Sequence, residues 1–82
     1  MSVKALNSLR IGEISIIQEF ADDFKIHSRL VEMGVTPGVV VRMVKKSPFN
    51  GPIEVKIRSY YLSLRWKDAT QIFVDNKFVD DV

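Results

Sequence analysis

The chain offers one imidazole, His27, and no thiol, so the range of chemistry open to it is narrow. Asp23 and His27 stand at i, i+4, a spacing that sets two side chains on one face of a helix. Two such ligands hold a metal loosely, while tetrahedral zinc wants further nitrogen or sulfur donors. An exposed histidine close to an N-capping aspartate is the simpler reading. A serine nucleophile would need His27 as its base, with Ser28 or Ser47 as partner. Neither serine sits in a strand–turn–helix elbow or beside a glycine-rich oxyanion loop. Gly34 and Pro37-Gly38 do not make a phosphate-binding G-x-x-x-x-G-K-[ST] loop, and proline removes one of the N–H donors such a loop uses. The expectation is a non-enzymatic chain with no catalytic residue, no metal site and no cofactor.

What remains is surface recognition. Net charge is only +2, but it is unevenly spread. Arg42, Lys45, Lys46, Lys56, Arg58, Arg65 and Lys67 face a single acid, Glu54, while other acids gather at 19–23 and 75–81. A protein-binding surface joins an apolar anchor to polar neighbours. The anchors on offer are Met33, Val35 and Phe49, with Arg29, Arg42, Lys45 and Lys46 as their cationic neighbours. Phe49 stands out as a large aromatic in a polar loop. The alternative is a nucleic-acid-binding small barrel that uses the basic 42–67 face, with Tyr61, Arg58, Arg65 and Trp66 as stacking and cationic groups. The modest net charge makes nucleic acid the weaker partner. In that case Tyr61 caps a sheet edge and Trp66 packs over the barrel rim.

These residues need a scaffold, and 82 residues suffice for one small domain. With 46% hydrophobic and 27% charged residues, the chain is expected to fold rather than stay disordered. The N-terminus lacks the apolar core of a signal peptide, and no run of about 20 apolar residues is present to span a bilayer. A soluble cytoplasmic protein is expected, without membrane insertion; self-association into a homo-oligomer is left open.

Residues 13–20 read as a strand, with Ile14, Ile16 and Phe20 on one parity and Ile17 breaking the alternation. Leu6 and Leu9, just before it, plug one end of the core. Residues 24–33 change period: Ile26, Leu30 and Met33 form one helical stripe. Asp22 or Asp23 suits the N-cap, and Gly34 suits the left-handed residue that ends a helix. Residues 39–46, 53–58, 60–65 and 71–74 complete a set of five strands. Pro37-Gly38 and Asn50-Gly51 are turn signals, and 67–70 is a short helical turn. The tight links favour an antiparallel meander, and five strands with one apolar face each must curl to cover it. The predicted fold is mostly β: a small five-stranded SH3-like barrel with one inserted helix, forming a single domain over 1–82.

The order of motifs resembles the ferrous iron transport protein A (FeoA) family. The resemblance rests on Leu9 with Gly12-Glu13, on Arg29-Leu30 and Glu32-Met33-Gly34-Val35-Thr36-Pro37-Gly38, on Ser47-Pro48-Phe49 and Pro52-Ile53-Glu54-Val55, and on Leu64-Arg65 with Asp68-Ala69. It covers residues 6–75. Two positions depart from the family: Asn50-Gly51 replaces Gly-Asp, and Ser59 replaces a glycine at the bend before the fourth strand. Serine there implies an ordinary β backbone, or strain if its φ is positive. The resemblance implies a cytoplasmic accessory of bacterial ferrous iron uptake that acts on the membrane transporter, FeoB. Direct iron binding is not implied. The related terminal domain of iron-dependent repressors offers a regulatory alternative, against which the chain begins at its own Met1.

Overall fold

The computed structural model describes residues 3–21 and 27–75. Among them an antiparallel sheet of six strands carries two short helices. The strands are β1 (Val3–Ala5), β2 (Ile14–Phe20), β3 (Val40–Lys46), β4 (Ile53–Ile57), β5 (Tyr60–Leu64) and β6 (Ile72–Asp75). Helix α1 covers His27–Glu32 and α2 covers Trp66–Ala69. A single 3-10 turn, Leu6–Ser8, follows β1. The order across the sheet is β1-β6-β2-β3-β4-β5. The 3-10 turn leaves one edge strand and α2 leaves the other, yet the two turns pack together. The sheet is therefore rolled around its inner face, as a small barrel requires.

The five expected strands are present, and the sixth, β1, is additional. It pairs Val3 with Asp75 and Ala5 with Phe73 along β6. Its three residues are too few for any periodicity to register, so only pairing to β6 identifies it. The inner face is closed by Leu6, Leu9, Ile17, Leu30, Val41, Met43, Val55, Ile57, Ile72 and Val74, all at or below 1% exposure. Leu6 and Leu9, expected to plug one end of the core, are both fully buried in it.

The orientation of β2 is opposite to the expected one. Ser15 and Ile17 point inward and are fully buried, while Ile14 and Ile16 are only half-buried. A bulge between Ile17 and Glu19 shifts the register against β6. The parity that holds more isoleucines is therefore not the one that faces the core. In β4 the simple alternation holds, with Ile53, Val55 and Ile57 inside.

Helix α1 ends in a Schellman arrangement. Gly34 takes φ +88°, its N–H donates to Val31 O, and the Val35 N–H donates to Leu30 O. Leu30 and Val35, the pair that such an end brings together, are both buried. Met33 packs half-buried against the same core. Ile26 and the expected Asp22 or Asp23 cap lie outside the described residues.

Candidate functional surfaces

The β3–β4 hairpin closes on a turn one residue earlier than its Asn50-Gly51 signal. Gly51 N–H donates to Pro48 O at 3.1 Å, and both central residues have positive φ, Phe49 at +58° and Asn50 at +57°. This is the φ pattern of a type I′ turn, the form that matches the twist of the flanking strands. Gly51 is kept small by contact: a Cβ there would lie 2.9 Å from Ser47 Cβ. The turn throws the Phe49 ring into solvent, fully exposed at 100%. An aromatic residue in the left-handed region is costly, since a Cβ crowds the following carbonyl there. Folding provides no burial in return.

The other expected recognition residues separate into distinct environments. Val35 is completely buried and belongs to the helix terminus and the core, which removes it from any surface. Lys46 is turned inward. A register shift between Met43 and Lys45 sets Lys46 opposite Ile53, on the inner parity of the sheet. Its Nζ donates to Leu9 O at 3.0 Å and lies 5.7 Å from the centre of the Trp66 ring. Trp66 itself packs half-buried against the core, over the barrel rim. Lys45, on the opposite parity, is exposed and stands across from Glu54. Arg29 is exposed on α1. Arg65 donates to Asp68 at 3.1 Å, which ties it to α2.

The basic 42–67 stretch is therefore not one continuous stripe. What the strands bring together is Arg42, Lys56 and Arg58, around a shallow hollow of about 250 Å³ floored by Ile14 and Val40. Ile14 is opposite Arg42, Arg42 opposite Lys56, and Lys56 opposite Tyr61. Lys56 Nζ lies 5.7 Å from the Tyr61 ring centre. Val40 and Tyr61 are 52% and 59% exposed, so this outer face keeps apolar surface in water. Arg42 is seven positions before Phe49, about 23 Å of extended chain, so the hollow and the hairpin tip are separate surfaces. The outward parity of Val40, Arg42, Lys56 and Arg58 was legible in the sequence. The outward position of Ile14 was not, because the β2 parity is reversed.

At the other end of the sheet, Lys4 Nζ donates to Glu13 Oε2 at 2.8 Å and the Arg10 N–H donates to Glu13 Oε1 at 2.9 Å. The Lys4 hydrogen bond, then the Arg10 amide, hold the Glu13 carboxyl below its ordinary pKa; slight burial opposes them. No group of three or more metal-ligating side chains occurs among the described residues. Asp23 and the side chain of His27 lie outside them. No helix among the described residues is long and apolar enough to cross a membrane.

A family model described as the FeoA domain matches residues 4–76. An Fe(2+) transport protein A/Fe(2+) transporter FeoB fusion protein from Porphyromonas gingivalis is 30% identical over 70 residues, 85% of this chain. The chain spans 8% of that relative's length. A solved FeoA-like protein from Clostridium acetobutylicum superposes with a TM-score of 0.83 at 26% identity, covering 94% of this chain and 90% of that one. The FeoA of Stenotrophomonas maltophilia, solved with zinc and described as a prokaryotic SH3 domain protein, gives 0.75 at 28% identity, covering 87% and 88%.

Proposed function

The chain belongs to the FeoA domain family, and on that premise we propose that it is a cytoplasmic, non-enzymatic accessory of ferrous iron transport that docks on the cytosolic part of the transporter FeoB. The observation that carries this reading is the relative in which the transport protein A region and FeoB share one polypeptide. Joining two modules raises their effective concentration to about the millimolar range, which makes even a weak contact productive.

The fully exposed Phe49, presented on a rigid two-residue turn, is suited to be the anchor of that contact. A large aromatic side chain that fills a partner pocket supplies much of an interface's energy, and a turn already ordered loses little entropy on binding. Lys45 and Arg29 add exposed cations elsewhere on the domain.

The test is binding of this chain to the isolated cytosolic domain of FeoB. Phe49→Ala is expected to weaken association about thirtyfold, a hot-spot loss of about 2 kcal/mol, with no loss of fold stability. Absence of association by the unmodified chain, or equal binding by the Phe49→Ala chain, overturns the reading.

A further inference from the structure

The outer face of β2, β3, β4 and β5 carries a second feature that the hairpin-tip contact does not use. Side chains directly opposite one another run Ile14–Arg42–Lys56–Tyr61 across four strands. Arg42 and Lys56 are therefore like charges in a direct cross-strand pair, an arrangement that destabilises a sheet. Arg58, in the β4–β5 turn, adds a third cation to the rim of the same hollow. None of the three makes an ion pair with a carboxylate among the described residues. Glu54 shares the outer face, but its cross-strand neighbours are Lys45 and Ser63. The apolar groups sit at the two ends of the row and under Arg42, with Val40 half open to water.

We infer that this face is a docking site for an extended acidic peptide segment in which a carboxylate is flanked on both sides by apolar residues. The dimensions match. Three inter-strand steps of about 4.8 Å set Ile14 and Tyr61 about 14 Å apart. In an extended chain, residues i and i+4 are about 13 Å apart and share one face, with i+2 between them. A pattern of apolar–x–acidic–x–apolar thus lays its outer side chains on Ile14 with Val40 and on Tyr61. Its central carboxylate falls between Arg42 and Lys56, where it neutralises the repulsion of that pair. Arginine gives the site a planar fork suited to a carboxylate. An apolar floor favours this ligand over nucleic acid, since three cations alone make few phosphate contacts. The site deepens the docking reading above and rests on it only for the owner of the peptide.

The experiment titrates the full chain with a capped ten-residue peptide that carries leucine, aspartate and leucine at i, i+2 and i+4, with serine at every other position. A peptide with asparagine in place of aspartate and a single-stranded oligonucleotide serve as separate arms. Backbone NMR shifts confined to residues around Arg42, Lys56 and Tyr61, with at least tenfold weaker binding of the asparagine peptide, are the expected result. Arg42→Gln and Lys56→Gln each lower affinity at least tenfold and leave the fold's spectrum intact; Lys67→Gln, off this face, leaves affinity unchanged. Tighter binding of the oligonucleotide than of the acidic peptide overturns the inference. So does indifference to Arg42→Gln and Lys56→Gln.

The FeoB cytosolic domain separates the two claims. If it binds and ignores Arg42→Gln, docking stands and FeoB falls as the owner of the peptide. If it does not bind while the peptide does, docking falls and the site stands.

Discussion

The hydroxyl of Tyr60 occupies the space that Gly34 leaves open: a Cβ built on Gly34 would lie 2.7 Å from Tyr60 Oη. The residue that ends α1 is thereby matched to the first residue of β5, and the helix end is fixed against the sheet. Gly34→Ala meets two penalties. Its φ of +88° disfavours any side chain, and the new methyl displaces the phenol. The backbone part alone is about 1–2 kcal/mol. Urea denaturation should show a loss of at least that size. Adding Tyr60→Phe should recover only the steric part, because it leaves φ untouched. Full recovery in the double variant would show that the conformation of Gly34 costs nothing.

Arg58 has φ +57° in the two-residue turn between Ile57 and Tyr60, while Ser59 does not have a positive φ. Of the two readings open at Ser59, the strained one does not apply, and the positive φ of this turn falls on Arg58 instead. Arg58→Gly relieves about 1–2 kcal/mol of left-handed strain and gives back about 0.5–1 kcal/mol in backbone entropy. A net gain of about 0.5–1 kcal/mol should appear as a higher urea midpoint. The same change removes a cation from the outer-face hollow, so acidic-peptide affinity falls as stability rises.

Lys46 and Lys45 are adjacent in sequence and opposite in consequence. Lys46→Ala leaves the Leu9 carbonyl without its donor and uncovers the Trp66 ring. The loss of a hydrogen bond from a charged group should cost about 1.5–3 kcal/mol. Lys45→Ala, at an exposed position, should change stability by less than about 0.5 kcal/mol. Equal effects at the two positions would contradict the parity change at the β3 bulge.

Ser15 is fully buried in β2, and its Oγ has no hydrogen-bond partner among the described residues. A buried hydroxyl left without a partner costs about 1–3 kcal/mol. Ser15→Ala removes that penalty with little change in volume, and thermal unfolding should show equal or higher stability. A clear loss would mean that the hydroxyl has a partner in solution.

Glu13 binds Lys4 and the Arg10 amide, which lower its carboxyl pKa below the ordinary 4.5. A carboxyl with a lowered folded-state value favours the folded state fully above its unfolded value. The contribution is lost as pH falls through the lower folded value. Glu13→Gln should therefore reduce stability near neutrality and flatten the fall in stability below about pH 4.5. Parallel stability–pH curves for the two chains would show that the Lys4–Glu13 contact contributes nothing.

The sequence by itself settled the elements whose signal is local. Ile53, Val55 and Ile57 alternate without a break, and they face inward as that alternation requires. Gly34 and Gly38 supply positive φ where chain reversals were expected, because only glycine adopts it without a Cβ clash. The motif order from Leu9 to Ala69 also carried the family.

Tertiary structure decided what depends on partners distant in the chain. The three residues of β1 exist as a strand only through β6. Bulges in β2 and β3 reset which parity is inside, because one extra residue reverses every side chain beyond it. In β3 that effect moved Lys46 to the core rim; in β2 it turns Phe20 to the core on the parity opposite to Ser15 and Ile17, while Ile14, ahead of the bulge, stays on the outer face. It separated the run of basic residues into cations spent on folding and cations left at the surface. A linear pattern records which residues alternate; only pairing across strands fixes which side of the sheet they reach.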